Sequence, residues 1–214
     1  MKKIAIIGAG GFGREVKTLI DELNKVEKQY EFVGFFDDGF PKGEIFNGSP
    51  VLGGVAEINQ IQEKFAIVIA IGDPKTKAKI HQLISNDLIE YPNVIHPKAI
   101  ISDDYVEIGI GNIITAGCII TCNIKIEDFV ILNLMCTVGH DTTIKSYASF
   151  MPSVNISGEV VIHEKVYVGT GAKIINQLEI GQNTVVGAGA VVSKSLPSNC
   201  TAVGIPAKPI KFNI

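Results

Sequence analysis

The sequence has few of the features that mark secreted, membrane-spanning or nucleic-acid-binding proteins. Its 214 residues include four cysteines, too few to suggest a disulfide framework. No apolar run approaches the roughly 20 residues of a membrane span. A net charge of −3 gives no reason to expect nucleic acid or an anionic membrane as a partner. Together these absences favour a globular protein of the cytoplasm.

What the sequence does have is a period of six residues. From Ile108 to Val192 every sixth residue is a bulky apolar one, and two positions earlier there is usually a smaller apolar one. The polar exceptions at that second position are Asn112, Thr142 and Thr184. A parallel β-helix of hexapeptides has this period, whereas a helix or an ordinary strand does not. Glycine and asparagine recur between the apolar positions, where corners tolerate positive φ.

The first part of the chain follows another pattern. Strands are predicted over residues 3–7, 31–36 and 65–71, and helices over residues 14–25 and 75–86. Strands that alternate with helices indicate a small parallel sheet covered by helices.

The change of pattern divides the chain near residue 93. The prediction is a Rossmann-like α/β domain over residues 1–92 and a β-helix domain over residues 93–214. The tail from about Leu196 is proline-rich, so we expect it to be irregular.

A glycine loop follows the first predicted strand. Gly8, Gly10 and Gly13 form G-x-G-x-x-G at the start of a helix, a site suited to a pyrophosphate. Asp37 follows at the end of the second strand, where ribose hydroxyls are usually bound. The loop fits a dinucleotide or a nucleotide-sugar, and a tight turn without a ligand is the structural alternative. A unit of under about 100 residues without a second mononucleotide half argues against a dinucleotide.

Four histidines are candidates for proton transfer. His81 falls in a helix and is expected at the surface, and His96 precedes a proline at the domain junction. His140 and His163 fall on turns of the β-helix, where a bend has no need of histidine. Asp141 follows His140 directly and could fix its tautomer or support its positive charge. His140 is therefore the candidate general base.

Short segments along nearly the whole chain share their sequence pattern with known proteins: residues 8–15, 36–38, 70–73, 95–97, 132–133, 139–141 and 203–208. Together they resemble the sialic acid O-acetyltransferase NeuD family of bacterial sugar acetyltransferases. That family includes the PglD-like N-acetyltransferases that act on nucleotide-linked 4-amino-sugars. The resemblance implies a left-handed β-helix, a homotrimer, acetyl-CoA as donor and no metal.

The resemblance also implies roles for single residues. His140 would be the general base, Asp141 its acidic neighbour and Asn133 a contact of the acceptor sugar. Ser149 stands where many relatives have a second histidine near the thioester carbonyl, and Gly139 where some have an acid. The positions that would hold the nucleotide-sugar are Gly11, Phe12, Gly13, Asp37, Asp38, Gly72 and Asp73. The positions that would contact acetyl-CoA are Ser149, Gly158, Thr170, Ala188 and Lys208.

The expected reaction is direct transfer of acetyl from acetyl-CoA to a sugar amine in bacterial glycan biosynthesis. Backbone amides or Ser149 would stabilise the oxyanion. A covalent intermediate on Cys122, one coil before His140, is not needed. The alternatives are O-acetylation of a sugar such as a sialic acid, an NAD-dependent oxidoreductase, a carbonic anhydrase-like metal enzyme and a scaffold. Only His140 and His163 lie on the β-helix proper, so three converging histidine ligands are missing.

Apolar residues at outward or turn positions of the β-helix indicate an interface between chains. A ring of three chains would cover them and place the site between neighbours. The residues are Ile110, Leu134, Met135 and Met151.

Overall fold

The computed structural model describes residues 1–212 and consists of a six-stranded sheet followed by a three-sided parallel β-helix. The sheet has the order β3-β4-β2-β1-β5-β6, and all neighbours are parallel except β3 and β4. Its strands are β1 (Lys2–Ile7), β2 (Tyr30–Phe36), β3 (Ile45–Phe46), β4 (Ser49–Gly53), β5 (Phe65–Ile69) and β6 (Ile89–Glu90). Its helices are α1 (Gly11–Val26), α2 (Val55–Ile58) and α3 (Pro74–Leu83).

The sheet and helix α1 share an apolar core. Ile4 and Ile6 of β1 are buried against Val16, Leu19 and Ile20 of α1, at the helical spacing that the sequence shows. The three predicted strands and both predicted helices are present, with ends that differ by a few residues. The pattern missed the short elements β3, β4, α2 and β6.

The β-helix is left-handed, and its strands form three parallel faces. We call one face the covered face, because the N-terminal sheet and its helices pack on it. Its strands are β7 (Val94–Ile95), β10 (Ile113–Ile114), β13 (Ile131–Leu132), β16 (Ser149–Phe150), β19 (Tyr167–Val168), β22 (Val185–Val186) and β24 (Cys200–Val203). The second face has β8 (Ile100–Ile101), β11 (Ile119–Ile120), β14 (Thr137–Val138), β17 (Asn155–Ile156), β20 (Lys173–Ile174) and β23 (Val191–Val192). The third face has β9 (Val106–Ile108), β12 (Ile124–Ile126), β15 (Thr143–Ile144), β18 (Val161–Ile162) and β21 (Glu179–Ile180).

The interior of the β-helix follows the period of six. Residues 18 positions apart pair in register, as Val138 does with Ile156, so equivalent side chains stack in columns. Almost all the periodic apolar residues, and their small neighbours Cys118 and Cys136, are buried in one continuous core. Asn112, the polar exception nearest the N-terminal end, is also completely buried.

The corners differ from the sequence-based expectation. A residue with positive φ recurs every six positions, but most of these residues are neither glycine nor asparagine, as Phe129 (φ 56°), Met135 (φ 62°) and Tyr147 (φ 65°) show. The stacked ladder on both sides of each corner imposes the left-handed conformation in spite of its local cost.

The C-terminal tail also differs from expectation. Residues 196–212 are not irregular, since β24 extends the covered face and β25 (Lys208–Phe212) returns antiparallel to it. Cys200 and Ala202 of β24 are buried in the β-helix core. The tail therefore closes the C-terminal end of the β-helix.

Helix α3 docks on the covered face through polar as well as apolar groups. His81 is not a surface residue as predicted, because its ring lies 4.1 Å from that of Phe129 and its Nδ1 is 2.8 Å from the hydroxyl of Tyr147. Burial lowers the pKa of His81, so the neutral ring is favoured there. His81 thus joins the two parts of the fold.

Candidate active site

His140 and Asp141 form a hydrogen-bonded pair at the corner between the second and third faces. This histidine corner comprises residues 121–123, 139–141, 157–159 and 175–177 of successive coils. The His140 Nδ1 is 2.7 Å from Asp141 Oδ2, and both side chains are about half exposed. The Asp141 carboxylate can accept a hydrogen bond only from a protonated Nδ1, so the pairing favours the tautomer whose Nε2 is free to act as a base.

Two neighbours fix this pair. Asn123, one coil earlier, donates from Nδ2 to Asp141 Oδ1 over 3.1 Å. Hydrogen bonds from His140 and then from Asn123 lower the pKa of Asp141, so its carboxylate stays ionised below the usual range. Gly158, one coil later, leaves room for the imidazole: a Cβ there would come within 2.6 Å of His140 Nε2.

The residues expected near acetyl-CoA lie on two different corners. Gly158 lies beneath His140, whereas Thr170 and Ala188 are exposed on the corner between the covered and second faces. This asparagine corner, which comprises residues 115–117, 133–135, 151–153, 169–171 and 187–189, also contains Asn133. The Oδ1 of Asn133 accepts the amide of Leu134 at 2.7 Å. One chain does not bring Asn133, Thr170 or Ala188 to its own His140.

Ser149 does not fit the expected contact with the coenzyme. Its side chain is completely buried on the covered face, and its hydroxyl accepts a hydrogen bond of 2.9 Å from Nζ of Lys77 in helix α3. Burial holds the pKa of Lys77 well below its usual range. The prediction for Ser149 is therefore wrong in this structure, because a buried and bonded hydroxyl has no surface for a ligand.

The glycine loop has the close contacts of a phosphate-binding turn. A Cβ on Gly13 would overlap the carbonyl oxygen of Gly8, whereas Gly10 and Gly11 face open space. The open side is thus the start of helix α1, where free amides favour an anion. Phe12 is half-buried and packs against the core of the N-terminal sheet, so it can offer only part of its ring to a ligand.

Acidic side chains order the loops beside the glycine loop. Asp37 accepts the amides of Ala9 and Gly39, each at 2.8 Å, and Asp38 accepts that of Val55 at 3.2 Å. Asp73 caps helix α3 by accepting the amide of Thr76 at 2.7 Å. These contacts are structural, and a contact of these carboxylates with a nucleotide stays a prediction.

Two clefts separate the N-terminal loops and helices from the β-helix. A cleft of about 460 Å³ lies between residues 72–75 and the covered face, where it is lined by Met151, Tyr167 and Lys165. Another, of about 270 Å³, lies between helix α1 and the asparagine corner at Thr115 and Leu134. The N-terminal part therefore adjoins the asparagine corner of its own chain.

The tail residue Lys208 is exposed on β25 opposite Val203 of β24. The closing of Lys208 over a coenzyme stays a prediction. Among residues 1–212, no group of three or more histidine, cysteine, aspartate or glutamate side chains could hold a metal ion. Within the same range, no helix is long and apolar enough to cross a membrane.

The two halves of the expected site lie on opposite sides of one chain. The N-terminal part packs on the covered face, where Ile113 and Ile131 join its apolar core. In a three-sided β-helix the histidine corner is the edge opposite that face. The buried core of the β-helix therefore separates the glycine loop of a chain from its own His140.

The sequence patterns did not predict the contacts of Asn123 with Asp141 and of Lys77 with Ser149. Asn123 could have been found, because it lies 18 residues before Asp141 and so must stack beneath it. Lys77 gave no signal, because its burial depends on how helix α3 docks on the covered face.

Family models match both parts of the chain. Residues 3–84 match the PglD N-terminal domain, and residues 159–194 match the bacterial transferase hexapeptide (six repeats). A GDP-perosamine N-acetyltransferase of Escherichia coli O157:H7 is 32% identical over 99% of this chain and 97% of its own length.

Solved structures of similar proteins include ligand complexes. The acetyltransferase domain of PglB from Neisseria gonorrhoeae, in complex with acetyl coenzyme A, superposes with a TM-score of 0.88 at 33% identity, over 98% of this chain and 99% of that one. A mutant perosamine N-acetyltransferase from Caulobacter crescentus, in complex with CoA and GDP-perosamine, has a TM-score of 0.88 at 29% identity, over 99% and 98% of the two chains. In that mutant an asparagine replaces one histidine.

Proposed function

Because this chain belongs to the hexapeptide-repeat sugar N-acetyltransferases with a PglD-type N-terminal domain, we propose that it acetylates the amine of a nucleotide-linked 4-amino-sugar. The donor is acetyl-CoA, which a similar domain binds. A relative that matches over 99% of this chain is a GDP-perosamine N-acetyltransferase, and a similar structure holds GDP-perosamine. GDP-perosamine is therefore the first acceptor to test.

The observation that carries the proposal is the His140–Asp141 pair on an open corner. The unprotonated Nε2 of His140 takes a proton from the sugar amine as the amine attacks the thioester carbon. A C–N bond forms, and the tetrahedral intermediate then releases CoA as the C–S bond breaks. The imidazolium returns the proton to the leaving sulfur, so the enzyme ends unchanged.

Asp141 makes this proton transfer easier. Its carboxylate accepts the Nδ1 proton throughout and offsets the positive charge that the imidazole gains. Because its pKa lies below the usual range, it keeps this charge at neutral and mildly acidic pH. Orienting the donor and the acceptor against each other supplies a large part of the acceleration.

We further propose that the working site lies between chains of a homotrimer. The core of the β-helix separates the glycine loop of a chain from its own His140, so an acceptor on that loop needs a histidine from a neighbour. Apolar side chains are exposed where a neighbour could cover them: Ile100 is 63% exposed, Leu134 41% and Met135 61%. A three-fold ring would pair the histidine corner of one chain with the asparagine corner of the next.

We propose an amine, and not a hydroxyl, as the group of the sugar that is acetylated. The same base would serve a sugar hydroxyl, so O-acetylation of a sugar such as a sialic acid is the competing activity. The cellular role follows from the acceptor, and we propose bacterial glycan biosynthesis in the cytoplasm.

A screen with product analysis tests the proposal. The wild-type protein and His140→Ala are incubated with acetyl-CoA and a panel of UDP-, GDP- and dTDP-linked 4-amino-sugars, with free sialic acid as the hydroxyl acceptor. The expected result is acetyl-CoA consumption with one amino-sugar, an N-acetyl product by mass spectrometry and little product with the variant. Turnover of sialic acid alone would contradict the choice of an amine.

A further inference from the structure

One column of side chains along the histidine corner has an unusual composition. Asn123, Asp141, Glu159 and Gln177 occupy equivalent positions of four successive coils, and all have positive φ between 55° and 61°. Their side chains pair amide to carboxylate: Asn123 donates to Asp141, and Gln177 donates to Glu159. Only the first of these pairs is hydrogen-bonded to the imidazole of His140, whereas Glu159 contacts His140 through its main-chain amide.

We propose that Asn123 is a positioning residue, which aims the Asp141 carboxylate at His140 by holding its other oxygen. This inference rests on the proposed function of His140 as the general base. A hydrogen bond of 3.1 Å from Asn123 occupies Oδ1, and the bond of 2.7 Å to His140 occupies Oδ2. The carboxylate is thus tethered at both oxygens in a chain Asn123–Asp141–His140.

The tether matters because the pair is exposed. Asp141 and His140 are 48% and 57% exposed, so packing restricts the two side chains only in part. An exposed ion pair is worth little unless its geometry is fixed, because two mobile side chains must be ordered to form it. The amide of Asn123 supplies this order at the oxygen that histidine does not use. The other titratable residues of the corner near His140 are Cys122 and Glu159.

A different role for Asn123 makes a different prediction. Asparagine is favoured at positive φ, so residue 123 could serve the turn alone. Glycine suits that backbone at least as well, and aspartate is also tolerated there. If the turn were its only role, Asn123→Gly would keep normal turnover.

The test compares Asn123→Gly and Asn123→Asp with the matched control Gln177→Gly. The control removes an amide–carboxylate pair from the same column without touching His140. We expect Asn123→Gly to lower kcat roughly threefold to tenfold, the range of one hydrogen bond, with an unchanged KM for acetyl-CoA. Asn123→Asp should lower kcat further, since it places a second carboxylate beside Asp141. Gln177→Gly should keep the wild-type kcat.

A double variant separates positioning from damage to the turn. Adding Asn123→Gly to Asp141→Ala should then change kcat no further, because Asn123 acts through Asp141.

A spectroscopic measurement keeps the inference independent of turnover. The ¹⁵N shifts of His140 report its tautomers, and Asn123→Gly should raise the share with a protonated Nε2. Wild-type turnover and tautomers in Asn123→Gly would overturn the positioning role and leave the acetyltransferase intact. An additive loss in the double variant would also overturn it. A wild-type protein without acetyltransferase activity would instead refute the proposed function.

Discussion

The imidazole of His140 lies so close to Gly158 that a Cβ on residue 158 would be 2.5 Å from Cε1 and 2.6 Å from Nε2. The two residues lie one coil apart on the histidine corner. Gly158 thus serves the site by the space it leaves, whatever it contributes to coenzyme binding. Its φ is not positive, so the backbone there does not itself require glycine.

We expect Gly158→Ala to fold and to lose activity. The added methyl group displaces the ring from Asp141 and from the reacting amine, and misplacement by about 1 Å costs up to roughly 100-fold in turnover. The kcat should fall at least tenfold while the melting temperature stays close to that of the wild type. A variant with normal kcat would show that the imidazole does not need its place above Gly158 during catalysis.

The second prediction concerns His140 itself. His140→Ala should lower kcat by about 100-fold or more, the usual contribution of a general base. The fold should persist because the side chain is 57% exposed. His163→Ala is the matched control, because His163 is also a turn histidine beside a carboxylate, 3.3 Å from Glu179. The His163→Ala variant should keep the wild-type kcat. Equal losses in both variants would point to a general effect on the β-helix.

The period of six made most of the β-helix predictable, because one repeated constraint fixes every coil. It did not predict which residues take positive φ: Phe129 and Tyr147 do so because the stacked ladder outweighs local preference. The β24–β25 hairpin was missed because Pro206 and Pro209 interrupt the pattern where the chain turns back.

The candidate site was predictable where it depends on neighbours in sequence or on the coil period. Asp141 follows His140 in the chain, and Asn123 follows from the spacing of 18. Ser149 was misjudged because its burial depends on Lys77, a residue that reaches it from another part of the fold. Docking of a helix on a sheet leaves no local pattern, so the sequence could not show it.

The third prediction concerns Lys77, the buried lysine of helix α3. Its pKa is lowered in the folded protein, so between the folded and unfolded pKa values the unfolded chain binds more protons, and the free energy of unfolding falls as pH falls through that window. Lys77→Met removes this dependence and a buried amine. Between pH 6 and pH 10, we expect the melting temperature of the variant relative to the wild type to be highest at pH 6. This relative melting temperature should fall as the pH rises toward 10.

Thermal unfolding between pH 6 and pH 10 measures this difference. Lys79→Met, an exposed lysine two residues further along helix α3, is the control and should show no such dependence. A constant difference between Lys77→Met and the wild type at every pH would mean that Lys77 does not titrate between the folded and unfolded states.

The central claim is that the acceptor held by the glycine loop of one chain is acetylated with His140 of a neighbour. It is tested most directly by mixing two defective chains. His140→Ala lacks the base, and Gly11→Val crowds the phosphate approach at a position where a Cβ meets no atom of its own chain within 4 Å. Gly11→Val should raise the KM for the nucleotide-sugar and leave acetyl-CoA binding nearly unchanged.

The two chains are co-expressed with different tags, mixed trimers are purified through both tags, and the acetylated amino-sugar is measured at low acceptor concentration. In every mixed trimer of either composition, about one interface in three combines an intact His140 with an intact glycine loop. We therefore expect substantial activity in the mixture, far above either variant alone. Mixed trimers with no more activity than the two parents, or an active wild-type monomer, would contradict a site shared between chains.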